Sequence, residues 1–250
     1  MNQLGCIVWQ FNEIWPTGGW GSIEYGTPVS GQVIGGRWKP LQYFYKRSIY
    51  TDVMATCGQD GACYVKNDRA GLPFSGTVTV AALEFATGKT TTLHTQDLTD
   101  ANAMAPGAGV TTFFHVDTSA VSGTTHMLIA TCTDTATSPT TTVSVNEIAL
   151  AIPGAMKLPA TSVTATVASA ANADGTIDIT LASTAPSALY VTLTTLAQGR
   201  FSDNAFAMHT GTGEAAEGGA TSTIQFVPFG KLDTVTLRKT LRVEHLQQYQ

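Results

Sequence analysis

Between residues 9 and 24 the chain sets three tryptophans, Trp9, Trp15 and Trp20, among Gln10, Asn12, Glu13 and Glu24. These residue types suit a sugar. The C–H faces of a pyranose pack on indoles, and its hydroxyls need the donors and acceptors that amides and carboxylates supply. The same tryptophans would also serve as core packing at a barrel rim, and composition by itself favours packing. Other chemistry is poorly provided for. GKT at Gly88–Thr90 resembles a phosphate loop, but the position of the required upstream glycine is Leu83, and no helical pattern follows. His94, His115, His126, His209 and His245 are scattered without metal-type partners. No Gly-x-Ser-x-Gly elbow occurs, and the cysteine spacing is not a zinc pattern. Neither a metal nor a cofactor is expected.

Composition narrows the remaining classes. The 250 residues are 43% hydrophobic, enough for a sizeable core and against disorder. Lys plus Arg number 13 against 18 Asp plus Glu, a net charge of −5, with no basic block. Nucleic acid and anionic membranes are therefore not expected partners. No apolar run reaches the length of a membrane span. The N-terminus lacks the basic region and cleavage pattern of a signal peptide. Cys57 and Cys63 flank the turn-like GQDGA. They either close a small disulfide loop or remain two half-buried thiols. No Asn-x-Ser/Thr acceptor supports a secretory route.

The elements that would position the aromatics come in two styles. Leu4–Phe11 is almost continuously apolar, the pattern of a strand buried on both faces of a parallel sheet. Such a strand needs parallel neighbours, and no further βα repeats follow to supply them. Asn12–Gly36 then reads as a long glycine- and proline-rich loop, a form that is commonly functional. Arg37–Ile49 reads as a helix with Pro40 in its first turn and an apolar face of Leu41, Phe44, Tyr45 and Ile49.

From Thr51 the period falls to two. Thr77–Phe85, Thr111–Val116, Thr125–Thr131 and the run through Val143, Val145 and Ile148 predict strands of one β-sandwich. A second series runs through Val163 and Val167, then Ile177–Leu181 after the turn pair Asp174-Gly175. It continues through Leu189–Leu193, Ile224 and Phe226, Val235 and Leu237, and Leu241 and Val243, giving about seven strands, the number in an immunoglobulin-like sandwich. Prolines and a glycine within Ile152–Pro159 mark the boundary between the two.

Two stretches carry a more specific signal. LGCIVWQFNEIWPTGGWGSIEYG followed by GGRWKPLQYFYKR resembles the end of the catalytic barrel in β-mannosidases of glycoside hydrolase family 2. The matching positions are Trp9, Gln10, Asn12, Trp15, Pro16, Trp20 and Ser22, then Arg37, Trp38, Lys39, Leu41, Tyr43, Lys46 and Arg47. Glu13 stands where the family usually has Asp, and Gln42 where it usually has His. Far downstream, GRFSDNAFAM (199–208), IQFVPF and LRVEHL resemble the last β domain of the same family.

The resemblance implies a mainly β chain: the final strand–helix unit of a TIM (β/α)8 barrel followed by two immunoglobulin-like β-sandwiches. The expected divisions are residues 1–50, 51–157 and 158–250. It implies hydrolysis of terminal, non-reducing β-D-mannose with retention, which takes two carboxyl groups about 5–5.5 Å apart. Both family glutamates lie on earlier barrel strands. Neither Glu13 nor Glu24 matches them, so no catalytic residue is expected in this chain, which would be inactive alone. Trp9, Asn12, Trp15 and Trp20 would bind the sugar. The implied partners are β-mannoside oligosaccharides and the missing upstream barrel of the same polypeptide. The implied compartment is lysosomal or secreted. Two other readings are a non-catalytic carbohydrate-binding or adhesion module built of sandwiches, and another family 2 exo-glycosidase.

Overall fold

The computed structural model describes residues 8–13, 19–24, 26–30, 32–99, 103–105, 110–136, 139–211 and 219–250. Trp15 and residues 4–7 of the N-terminal apolar run lie outside the described residues.

Alternation of apolar and polar residues builds two stacked β units. In the first, β3 (Val53–Cys57), β4 (Ala62–Asn67) and β7 (Val110–His115) form one antiparallel sheet. It faces a second sheet ordered β6 (Thr90–Leu98), β5 (Gly76–Glu84), β8 (His126–Asp134) and β9 (Thr141–Ala149). Val53, Ala55 and Val65 meet Val78, Val80, Leu128 and Ala130 between the sheets. Cys57 and Cys63 are cross-strand partners on β3 and β4, and their sulfurs are bonded as a disulfide.

The second unit repeats the plan. β10 (Val163–Val167), β11 (Ile177–Ser183), β15 (Thr221–Pro228) and β13 (Gly199–Phe201) form one sheet. β14 (Phe206–His209), β12 (Ser187–Thr194) and β16 (Arg242–Glu244) form the other. Ile177, Ile179, Leu181, Val191, Leu193 and Phe226 fill the space between. The predicted strand through Val235 and Leu237 is instead a helix, α2 (Thr234–Thr240). Asp233 caps it, accepting from Thr236 N at 2.9 Å and from the Thr236 hydroxyl at 2.6 Å. That cap satisfies donors that a strand would have turned to a neighbour. Leu237 is buried while Val235 is 75% exposed, so only one of the two apolar positions faces the core.

The two units share a third core. Leu83 and Phe85 from the β5 side and Met127 and Ile129 from β8 point away from their own sandwich and meet Leu189 of β12, with Met156 of the linker beside them. This explains why the end of β5 reads as a continuous apolar run: both its faces are covered. A short 3-10 turn, Pro153–Ala155, stands between the units in the chain. Glu147 of β9 lies at this junction. Its Oε1 accepts from Ala207 N at 2.8 Å, and its other oxygen is buried without a hydrogen-bond partner. Burial pushes its carboxyl well above the ordinary carboxylate value, with nearby Arg47 opposing the shift.

The N-terminal part departs from expectation. Residues 8–11, the described part of the predicted parallel strand, form no strand, and the described residues contain no barrel sheet. A parallel strand without neighbours leaves its backbone groups unpaired, so the segment has no reason to hold that form. The predicted long loop contains an antiparallel hairpin, β1 (Gly26–Val29) and β2 (Gln32–Gly35), with Ser30 at φ 50° in its turn. The predicted helix is present as α1 (Pro40–Arg47), with Pro40 opening it. Its buried face is not the predicted one. Leu41 and Ile49 are exposed, whereas Gln42 and Tyr43 are buried.

Candidate functional site

The aromatic segment is held by backbone pairing between two short pieces of chain. Asn12 and Ile23 form a parallel bridge, with Glu13 N donating to Ile23 O at 2.9 Å and Ser22 N donating to Phe11 O at 3.0 Å. Ile23 in turn bridges Trp38, and Lys39 N donates to Ser22 O at 2.9 Å. Three residues back from Asn12 and from Ile23 stand Trp9 and Trp20. The bridge thus joins the two tryptophan-bearing pieces of chain at Asn12 and Ile23. Trp9 is 72% and Trp20 74% exposed. They are not core packing among the described residues, and their faces are open to a planar apolar partner.

Beneath them the polar residues are committed to one another. Glu13, 1% exposed, accepts from Gly21 N at 2.9 Å and pairs with the Lys39 ammonium, which also donates to Gly19 O at 3.1 Å. The piece around Trp20 is thus gripped on both sides. A Cβ at Gly19 would overlap the Glu13 carboxylate, and one at Gly21 would overlap the Asn12–Glu13 backbone. The hydrogen bond from Lys39 is the main influence holding the Glu13 carboxyl below its ordinary value. The buried Ser22 hydroxyl lies 2.7 Å from Gln42 Oε1 and 2.8 Å from the Phe11 carbonyl. Glu24 pairs with Arg37 Nε at 3.1 Å. A general acid at neutral pH wants a raised carboxyl pKa and access to substrate. Glu13 has neither, and Glu147, whose carboxyl is raised, is half-buried at the sandwich junction with one oxygen held by Ala207 N.

The second half of the segment turns inward. Trp38 packs edge-on to Tyr43, ring centroids 5.4 Å apart, and Arg200 covers it at 5.0 Å. Tyr43 sits in the core of the C-terminal sandwich, and its hydroxyl accepts from Phe201 N at 3.0 Å. Lys46 donates to Ser202 O at 2.8 Å. Arg47 donates to Asp203 Oδ1 at 2.6 Å, Asn204 O at 3.0 Å and Ala205 O at 2.9 Å. Asn204 then clamps β12, accepting from Leu193 N at 2.7 Å and donating to Leu193 O at 2.8 Å. The two stretches that carried the resemblance, α1 and residues 199–208, are therefore one contact.

Of the residues that the sequence singles out, Asn12 is bridged to Ile23, Trp9 and Trp20 are exposed, and Trp15 lies outside the described residues. The residues that hold this segment, Glu13, Lys39, Ser22 and Gln42, were named in the sequence but not given that role. Glu13 and Gln42 stood out as departures from a family pattern, and Ser22 and Lys39 as matches to it. Among the described residues no cluster of three or more His, Cys, Asp or Glu could hold a metal ion. The GKT segment lies in the β5–β6 connection, where Lys89 bridges Gly211.

Residues 158–249 match the Ig_mannosidase family, an Ig-fold domain. The chain is 34% identical over 64 residues to a β-mannosidase of Mus musculus, covering 26% of this chain and 6% of that protein. It is 39% identical over 46 residues to one of Capra hircus, covering 18% and 4%. The chain thus matches only a small part of these relatives' length. The crystal structure of Amycolatopsis orientalis exo-chitosanase CsxA aligns with a TM-score of 0.56 over 96% of this chain and 29% of that one. At 18% identity that likeness concerns the fold. A second structure of the enzyme, described as an exo-β-D-glucosaminidase, aligns with a TM-score of 0.55. The chain is similar to the C-terminal portion of family 2 β-mannosidases, and it is mainly β, with an immunoglobulin-like domain.

Proposed function

We propose that the chain is the C-terminal portion of a retaining β-mannosidase that removes terminal, non-reducing β-D-mannose. In this reading Trp9 and Trp20 present indole faces to the sugar, with Asn12 and Trp15 in the same segment. Both catalytic carboxyl groups come from barrel strands outside these 250 residues. The observation that carries the reading is the pair of tryptophans, both more than 70% exposed, on two pieces of chain joined by the Asn12–Ile23 bridge. Two exposed indoles with no partner among the described residues suit a ligand or a missing wall of a site better than packing. The committed states of Glu13 and Glu24, each in an ion pair, support the absence of a catalytic pair here.

A second reading keeps the family and changes the sugar. The fold likeness to an exo-chitosanase over nearly the whole chain favours it. Aryl β-mannoside and aryl β-glucosaminide, assayed on this chain and on a polypeptide that also carries the barrel, separate these readings. The proposal expects hydrolysis of the mannoside by the longer protein and none by the chain alone. Turnover of either substrate by the chain alone would overturn it, and a longer protein that cleaves only the glucosaminide would move the specificity.

A further inference from the structure

The C-terminal sandwich carries positive charge that the described residues leave unmatched. Two adjoining cavities of about 280 and about 330 Å³ share Arg37, Thr194 and Thr195. The larger is walled by Lys239 of α2 and Arg242 of β16, with Arg37 on the shared rim and no carboxylate in its lining. Acidic residues outnumber basic ones 18 to 13 in the sequence, so partners are not scarce. Yet among the described residues the side chains of Lys239 and Arg242 make no ion pair or hydrogen bond. Glu244 shares the Arg242 face of β16, but its Oε1 accepts from the Tyr249 hydroxyl at 2.8 Å. Arg37 spends its Nε on Glu24, and one terminal nitrogen makes only a long contact to Thr195 O, 3.4 Å.

The wall behind these cations is rigid. The Thr195 and Thr240 hydroxyls lie 3.0 Å apart, and Thr240 also accepts from Leu196 N at 3.0 Å and donates to Thr236 O at 2.7 Å. Thr194 is paired with Arg242 in the β12–β16 register and is exposed. Lys239 lies in the last turn of α2 and complements the negative end of that helix. Arg242 lies beyond the helix and has no such duty. Arg238, on the same turn, is already spent on the Ala168 and Ser169 carbonyls.

We propose that this cavity binds an oxyanion, a phosphate or sulfate group, either free or carried on a saccharide. A guanidinium and an ammonium facing one space, with the exposed Thr194 beside them, match the charge and the several acceptors of a tetrahedral oxyanion. The neighbouring cavity, lined by Trp38 and Tyr43, leaves room for a sugar attached to it. The inference is independent of the glycosidase reading.

Thermal unfolding of the whole chain in inorganic phosphate or sulfate, against chloride at matched ionic strength, tests it. At about ten times the Kd, mass action raises Tm by about 3–5 °C for a chain of this size. The rise should persist in Lys231→Gln, an exposed cation elsewhere. It should fall by half or more in Arg242→Gln and vanish in Lys239→Gln/Arg242→Gln, whose folds far-UV circular dichroism verifies. A hexose monophosphate supplies the second arm. A shift equal to that of phosphate assigns the site to the bare oxyanion, and a larger one assigns it to a phosphorylated saccharide. No rise in tens of millimolar phosphate and sulfate, or the same rise in the double variant, overturns the proposal.

Discussion

Trp20 and Trp38 lie eighteen positions apart in one aromatic-rich segment, and the fold treats them in opposite ways. Trp20 is left open to solvent, on a loop that Glu13 and Lys39 grip from below. Trp38 is sandwiched between Tyr43 and Arg200 against the C-terminal domain. The difference lies in the partner available. The stretch from Trp38 to Arg47 finds its counterpart in residues 199–205, over 150 positions downstream, whereas Trp9 and Trp20 find none among the described residues. A segment that reads as one motif thus divides into an anchor and a presented surface. The anchor should matter for stability and the surface for binding.

Arg47→Ala attacks the anchor hardest. It removes donors to Asp203, Asn204 and Ala205 and a guanidinium 4.8 Å over the Phe44 ring; the Asn204 and Ala205 carbonyls lose that donor, while Asp203 Oδ1 keeps Asn204 N. Arg47 is mostly buried while Asp203 is more than a third exposed, which tempers the loss. Unfolding in urea should show a loss of about 2–3 kcal/mol. A change below about 0.5 kcal/mol, the ordinary surface value, would mean that α1 is not an anchor.

Tyr43→Phe is a milder version. It leaves Phe201 N–H buried without an acceptor and should cost about 1–2 kcal/mol. It also carries a pH signature. Burial pushes the Tyr43 hydroxyl from 10.0 up to about 12. A raised pKa lends stability that is complete below the unfolded value and is lost as pH rises through the folded one. Wild type should therefore lose more stability than Tyr43→Phe between pH 10.0 and about 12.

Glu147 tests the junction rather than the anchor. Its carboxyl is raised above 4.5, so its contribution is present below that pH and declines as the pH climbs through the folded value. Glu147→Gln keeps an oxygen for Ala207 N–H and removes the charge. Its stability should fall less than that of wild type as pH rises from about 4.5 toward neutrality, measured as the difference between paired denaturation curves. Parallel curves would remove the buried carboxylate from the account.

The residues of the anchor carried the family resemblance, but its docking face was closed to periodicity, for a physical reason. Helix α1 was readable from Pro40 and its periodicity, but the reading chose Leu41, Phe44, Tyr45 and Ile49 as its inner face. The face that docks is Gln42, Tyr43, Lys46 and Arg47, whose partners are hydrogen-bonding groups distant in sequence. Apolar periodicity is blind to such a face. The strands were easier, since β5, β8, β11 and β12 alternate or run apolar over seven residues or more. Short β13 and β14 offered too few residues for a period. At Val235 and Leu237 the alternation was real, but Asp233 three residues before Thr236 was the better guide.

The smallest expected change in stability is the most informative about function. Trp20→Ala and Trp9→Ala remove rings that touch little of their own chain, so each should shift unfolding by no more than about 0.5 kcal/mol. A core tryptophan would cost about 3–5 kcal/mol on the same change. Binding of a β-mannoside oligosaccharide, followed by titration calorimetry on a polypeptide that completes the barrel, should weaken in both variants. Loss of an aromatic pair interaction of about 0.5–1.5 kcal/mol corresponds to roughly a two- to twelve-fold rise in Kd. If stability collapses while affinity holds, the tryptophans are packing and the division drawn between anchor and surface is wrong. If both hold, the indoles await a protein wall instead of a sugar. Their protection from acrylamide quenching in the longer polypeptide without ligand would then show that wall directly.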